Sequence, residues 1–106
     1  MSAVPELNAA ADTLEALART AEHDLATNDY WAGYNPATAW RDGLTNGMGG
    51  ASGDLAAALP PAAALELSRW LRAEARQETY SLAEFGHRSA SPHAVAVARQ
   101  INGSAP

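Results

Sequence analysis

The sequence predicts an all-α fold, a small antiparallel bundle of four to five helices. Three observations carry this. The chain opens on an apolar stripe of helical period, prolines stand where further helices would begin, and no segment alternates apolar and polar residues as a half-buried strand does. Two helices should be long, at about residues 5–27 and 61–85, with two or three short ones beside them in a single domain of 106 residues.

The first helix is the clearest. Leu7, Ala10, Ala11, Leu14, Leu17, Ala18, Ala21 and Leu25 fall within about 120° of arc at helical pitch, and Pro5 suits a first turn whose N–H groups have no partner in any case. A stripe that mixes leucine with alanine lets a partner helix approach closely. Residues 28–35 break the pattern and read as a loop carrying Tyr30, Trp31 and Tyr34. Asn35 then caps a short helix with Pro36 in its first turn and with Trp40 and Leu44 inside it, weakened by Gly43. Residues 45–54 read as a flexible glycine-rich connection, and residues 55–59 as a helical turn at most.

Pro60 and Pro61 open the second long helix. Ala64, Leu67, Leu71, Ala75, Leu82 and Phe85 share one face, interrupted by Glu78, and residues 78–81 are the weak point of its continuity. Gly86 is the expected stop. Ser91 and Pro92 cap a last helix with Ala94, Val97, Ala98 and Ile101 on its inner face. Both chain ends, residues 1–4 and 104–106, are expected to be loose.

Composition narrows the function. Alanine fills 26 positions, while Leu, Val, Ile, Met and Phe together fill 18, so the core should be thin and Trp and Tyr should supply part of its volume. The absence of cysteine excludes thiol nucleophiles, disulfides and thiolate metal sites. Acids at Glu6, Asp12 and Glu15 do not fit a signal peptide, and no apolar run reaches membrane-spanning length, so a cytoplasmic protein without membrane contact is expected. The net charge is −5; residues 1–54 carry eight acids and two arginines, residues 55–106 four acids and five arginines. Such a balance opposes general affinity for nucleic acid, which depends on neutralising phosphates.

Four features invite chemistry. Glu84 and His87 have the Glu-x-x-His spacing of di-iron bundles, but such a site needs two of these motifs and further glutamates, and Gly86 disturbs the helical phase. His93 stands in a first helical turn, where an imidazolium is disfavoured. The glycine run at residues 43–53 lacks the Lys-Ser/Thr of a phosphate loop and follows no strand. Arg69, Arg72 and Arg76 lie within about 60° on one helix face, suited to phosphate, or to acids of the first helix or of another subunit. No catalytic, metal or cofactor site is assigned.

The segment Trp70-Leu71-Arg72 and the run from His93 through Val97 and Arg99 to Gly103 resemble small uncharacterised helical proteins of actinobacteria and their phages. This covers the C-terminal half, implies a phage or mobile-element setting and transfers no catalytic residue. The expected function is therefore a non-enzymatic protein–protein interaction module that binds a host or structural protein through Tyr30, Trp31 and Tyr34, the competing account being that Trp31 folds back over the alanine-rich core. Trp40 and Trp70 are expected in the core. The alternative is a dimeric nucleic-acid-associated regulator using Arg69, Arg72 and Arg76, and a third reading is a small enzyme or metal protein around Glu84, His87 and His93. A homodimer is expected because so thin a core gains stability by pairing.

Overall fold

A computed structural model describes residues 2–103. It contains helices α1 (Val4–Thr27), α2 (Ala39–Met48), α3 (Gly50–Ala57), α4 (Pro61–Phe85) and α5 (Pro92–Ile101), with a 3₁₀ turn at Asp29–Trp31 and no strand among the described residues. The fold is all-α. Its residues group into two compact units: one takes in the described residues up to Ala16 and from Leu65 onward, the other is Leu17–Ala64.

In the first unit the early part of α1 packs on α4 and α5. Its core is Ala3, Leu7, Ala10, Ala11, Leu71, Ala75, Ala94, Val95 and Ala98, bordered by Leu14 and Ile101. Alanine on all three helices brings backbones close, at the cost of little apolar area per residue. Polar contacts hold the register. Ala3 meets Glu78, whereas Asp12 and Glu15 meet Arg72 at 2.8 and 3.2 Å, so α1 and α4 run antiparallel. Arg99 binds Glu6 at 2.9 Å, joining α5 to α1, and the Glu74 carboxylate accepts the Ser91 N–H at 2.9 Å.

Glu78 lies at the centre of this scheme, fully buried. Its Oε2 accepts the Ala3 N–H at 2.6 Å and its Oε1 the Ala90 N–H at 3.1 Å, with Arg88 at 3.7 Å. One carboxylate thereby ties the start of α1 to the turn between α4 and α5. Burial by itself pushes the carboxyl up, but the N–H groups of Ala3 and Ala90, the Arg88 guanidinium and the Ser89 N–H outweigh it and hold Glu78 below the usual carboxylate range.

Several sequence expectations need correction here. The line buried along α4 is Leu65, Ser68, Leu71, Ala75, Glu78 and Ser81, so Glu78 belongs to the inner face instead of interrupting it. The helix does not break at residues 78–81: the Ser68 and Thr79 hydroxyls turn back onto the Leu65 and Ala75 carbonyls, and Glu78 finds partners from other segments. Phe85 and Leu17, expected inside, are 63% and 64% exposed, and Trp70 also lies on the surface. Ala3 and Val4 are not loose, because Glu78 and Ser2 Oγ hold their N–H groups. Residues 1 and 104–106 lie outside the described residues. Gly86 ends α4 with φ 72°, and the Ser91 side chain caps α5 ahead of Pro92.

In the second unit the glycine-rich stretch is mostly helical. α2 runs on to Met48, and α3 starts at Gly50, so the expected connection at residues 45–54 reduces to a corner at Gly49, where φ is 72°. Helix is tolerated because glycine allows contact: a Cβ on Gly53 would lie 3.1 Å from the Leu44 carbonyl oxygen. The expected helix start at Asn35 is instead a single turn. Asn35 Oδ1 accepts the Ala37 N–H, its carbonyl accepts the Thr38 N–H, and α2 begins at Ala39.

Glu78→Ala should lower stability by about 2–4 kcal/mol in urea unfolding at neutral pH, since it strands two N–H donors inside the protein. Because the folded carboxyl sits below its unfolded value, its stabilisation is full above the ordinary glutamate range and is lost as pH falls through the folded value. Glu78→Gln should accordingly flatten the acid limb of the stability–pH curve.

Candidate functional site

The second unit builds an aromatic groove, beginning at the end of α1. Asn28 donates through Nδ2 to Asp24 Oδ1 at 3.0 Å, while its own Oδ1 accepts the Tyr30 N–H at 2.9 Å and so caps the 3₁₀ turn. One side chain thus ends a helix and starts the next turn. Asp24 also takes the Trp31 Nε1–H at 2.8 Å, which aims the indole inward. The Trp31 and Asn28 donors together hold the Asp24 carboxyl below its usual value.

Trp31 is 9% exposed and stacks on Trp40, with centroids 5.9 Å apart and planes 15° off parallel. Tyr30 meets Trp31 edge-on at 5.0 Å, and its hydroxyl donates to the Gly43 carbonyl at 2.6 Å. Trp40 Nε1 donates to the Ala56 carbonyl at 3.3 Å, and the Tyr34 hydroxyl accepts from Asn46 at 2.9 Å. The rings lie against a flat face of α2. A Cβ on Gly43 would overlap Trp31 Cζ3, and one on Gly47 would come within 2.6 Å of the Tyr30 hydroxyl.

Trp31, Tyr34 and Trp40 line a depression of about 790 Å³ whose wall also includes Leu25, Pro36 and Pro60. Glu22, Asp29 and Arg41 supply its charge. Arg41 is held by Asp42 at 3.3 Å, and the Asp42 carboxyl is lowered first by the Thr38 hydroxyl and then by Arg41. The Thr27 hydroxyl donates to the His23 carbonyl at 2.8 Å. The groove wall carries no histidine.

Of the three rings expected to meet a partner, Trp31 is interior. Asp24 and Trp40 draw it into the unit because the alanine-rich helices leave a volume that a large ring fills. Tyr34 is half-buried on the groove wall, and Tyr30 is 48% exposed beside α2. Trp40, expected only as core, also lines the groove. The relevant sequence signal was the spacing of Gly43 and Gly47, four residues apart on one helix face beneath a Trp and a Tyr.

The arginine face is largely engaged. Arg72 lies between Asp12 and Glu15, which hold its pKa above the ordinary value, and Arg69 pairs with Glu66 on its own helix. Arg76 is exposed. Glu84 lies exposed at the end of α4, His87 stacks on Phe85 at 5.8 Å, and His93 is exposed in the first turn of α5. Among the described residues no three His, Cys, Asp or Glu side chains are grouped to hold a metal ion, and no helix is long and apolar enough to cross a membrane. Compared with known proteins, the chain matches no family model, no curated protein and no solved structure.

Gly43→Ala would gain up to about 1 kcal/mol in helix propensity, but the overlap with a stacked indole should reverse the sign, for a net loss of about 1–2 kcal/mol in thermal unfolding. Trp31→Ala should cost about 3–5 kcal/mol, read by urea titration, as expected for a core ring.

Proposed function

We propose that this protein is a non-enzymatic interaction module that binds another protein through the groove of the Leu17–Ala64 unit. The observation that carries this reading is an open wall of Tyr34, Pro36 and Trp40, backed by the interior Trp31, that the fold fixes in place without closing over. Rings held by hydrogen bonds at their polar edges lose little freedom on binding, which favours them as anchors. The wall hydroxyls of Thr27 and Thr38 are held by the His23 carbonyl and the Asp42 carboxylate, and the Asp24 carboxylate by the Trp31 indole, so each already has an intramolecular partner. That arrangement suits recognition better than catalysis.

The nucleic-acid reading has less support. Arg72, the middle of its three arginines, is paired with two acids of α1, and an anion would have to displace both. The setting we propose is the cytoplasm, in a phage or mobile-element context. Self-association belongs to the same proposal: Leu17, Met48, Leu55 and Leu59 are each at least half exposed, an outlay of apolar surface that a second copy could cover.

Ala37 is exposed on the groove wall, so Ala37→Arg should leave the thermal midpoint within about 2 °C of wild type while abolishing capture of the protein partner from host extract. Undiminished capture would refute the groove as the binding site. Light scattering at micromolar concentration should give the mass of a dimer, and a strictly monomeric mass would refute self-association.

A further inference from the structure

Resting on that reading, we propose that the groove takes a proline-containing segment in the polyproline II conformation, flanked by a basic residue. Both groove indoles are engaged within the unit, Trp31 with Asp24 and Trp40 with the Ala56 carbonyl, and Pro36, Pro60 and Pro61 on the wall have no N–H. The groove therefore offers ring faces and few donors. A strand seeking main-chain partners finds none here, since the unit has no sheet edge. A polyproline II segment keeps its own carbonyls in water, presents one edge every third residue and is ordered before it binds, so it loses least on such a surface.

Glu22, Asp29 and Arg41 stand on the groove wall; Glu22 is paired with Arg19 at 3.4 Å and Arg41 with Asp42 at 3.3 Å, so Asp29 carries the net negative charge of the rim. A lysine or arginine beside the prolines complements it, and speeds encounter more than it deepens affinity. A small quaternary ammonium is the weaker fit. Trp31 and Trp40 cover each other at 5.9 Å, so they do not frame a cage into which a cation could enter between two faces.

The test is titration of the full-length protein with a short synthetic peptide of proline pairs ending in two arginines, followed by NMR of the indole N–H groups. The Trp31 and Trp40 signals should shift while Trp70, in the other unit, stays fixed and serves as an internal control. Replacing the peptide prolines by alanine should weaken binding at least about tenfold. Glu22→Gln combined with Asp29→Asn should weaken it about three- to tenfold, and raising salt should do the same to the wild type. Equal binding of the alanine peptide, or preference for an amphipathic helical peptide at the same indoles, would overturn the inference. If no peptide shifts the indoles yet Ala37→Arg still abolishes partner capture, the proline inference fails alone. If Ala37→Arg leaves capture intact, the reading beneath it fails as well.

Discussion

The first unit depends on a carboxylate buried where an alanine-based core has no apolar bulk to spare. Glu78 receives N–H groups from Ala3 and Ala90, segments that sequence places at opposite ends of the chain. A buried charge left alone would cost several kcal/mol, so this arrangement exists only because the donors converge on it. The consequence is specificity. Small apolar side chains tolerate sliding between helices, whereas a carboxylate with fixed donors permits one register. Arg72 between Asp12 and Glu15, and Arg99 on Glu6, reinforce that register nearer the surface. Every buried side-chain nitrogen and oxygen among the described residues has a partner.

The second unit solves the same shortage differently. Large rings supply the volume, and glycines supply the room for them. Trp31 and Tyr30 rest on α2 at the positions where Gly43 and Gly47 remove a side chain, and Gly53 lets α3 approach Leu44 and Met48. Glycine in a helix normally weakens it by about 1 kcal/mol relative to alanine. Here that loss is offset by burial of an indole, stacked on Trp40 and held at its nitrogen by Asp24.

This division bears on function. The first unit engages most of its charges internally, including the arginine that would otherwise suggest phosphate binding. The second leaves an aromatic wall open and an acidic rim beside it. A surface that is rigid, apolar and poor in donors is suited to a ligand already ordered and already satisfied by water, which links the groove's chemistry to the class of partner proposed for it.

Sequence periodicity alone determined the all-α class, both long helices, the Ser91 cap of α5 and the stop at Gly86, because these follow from local propensity and from one face of each helix being apolar. It did not show which polar residues are buried or which apolar ones are exposed. Glu78 read as an interruption, and Leu17 and Phe85 read as core, because a stripe tells which side is apolar but not how far a partner element extends along it; Trp70 read as core on its size in so small a domain. Gly43 read as a weakness in its helix and the glycines of residues 45–54 as a loop, because their cost in a helix is local, while their benefit, a ring packed where a Cβ would stand, comes from Tyr30 and Trp31. From sequence Trp31 reads equally as a partner contact or as a ring folded over the core. Only the tertiary structure decided that it is interior, since the hydrogen bond from its indole to Asp24 and the stack on Trp40 form across turns whose closure no local pattern records.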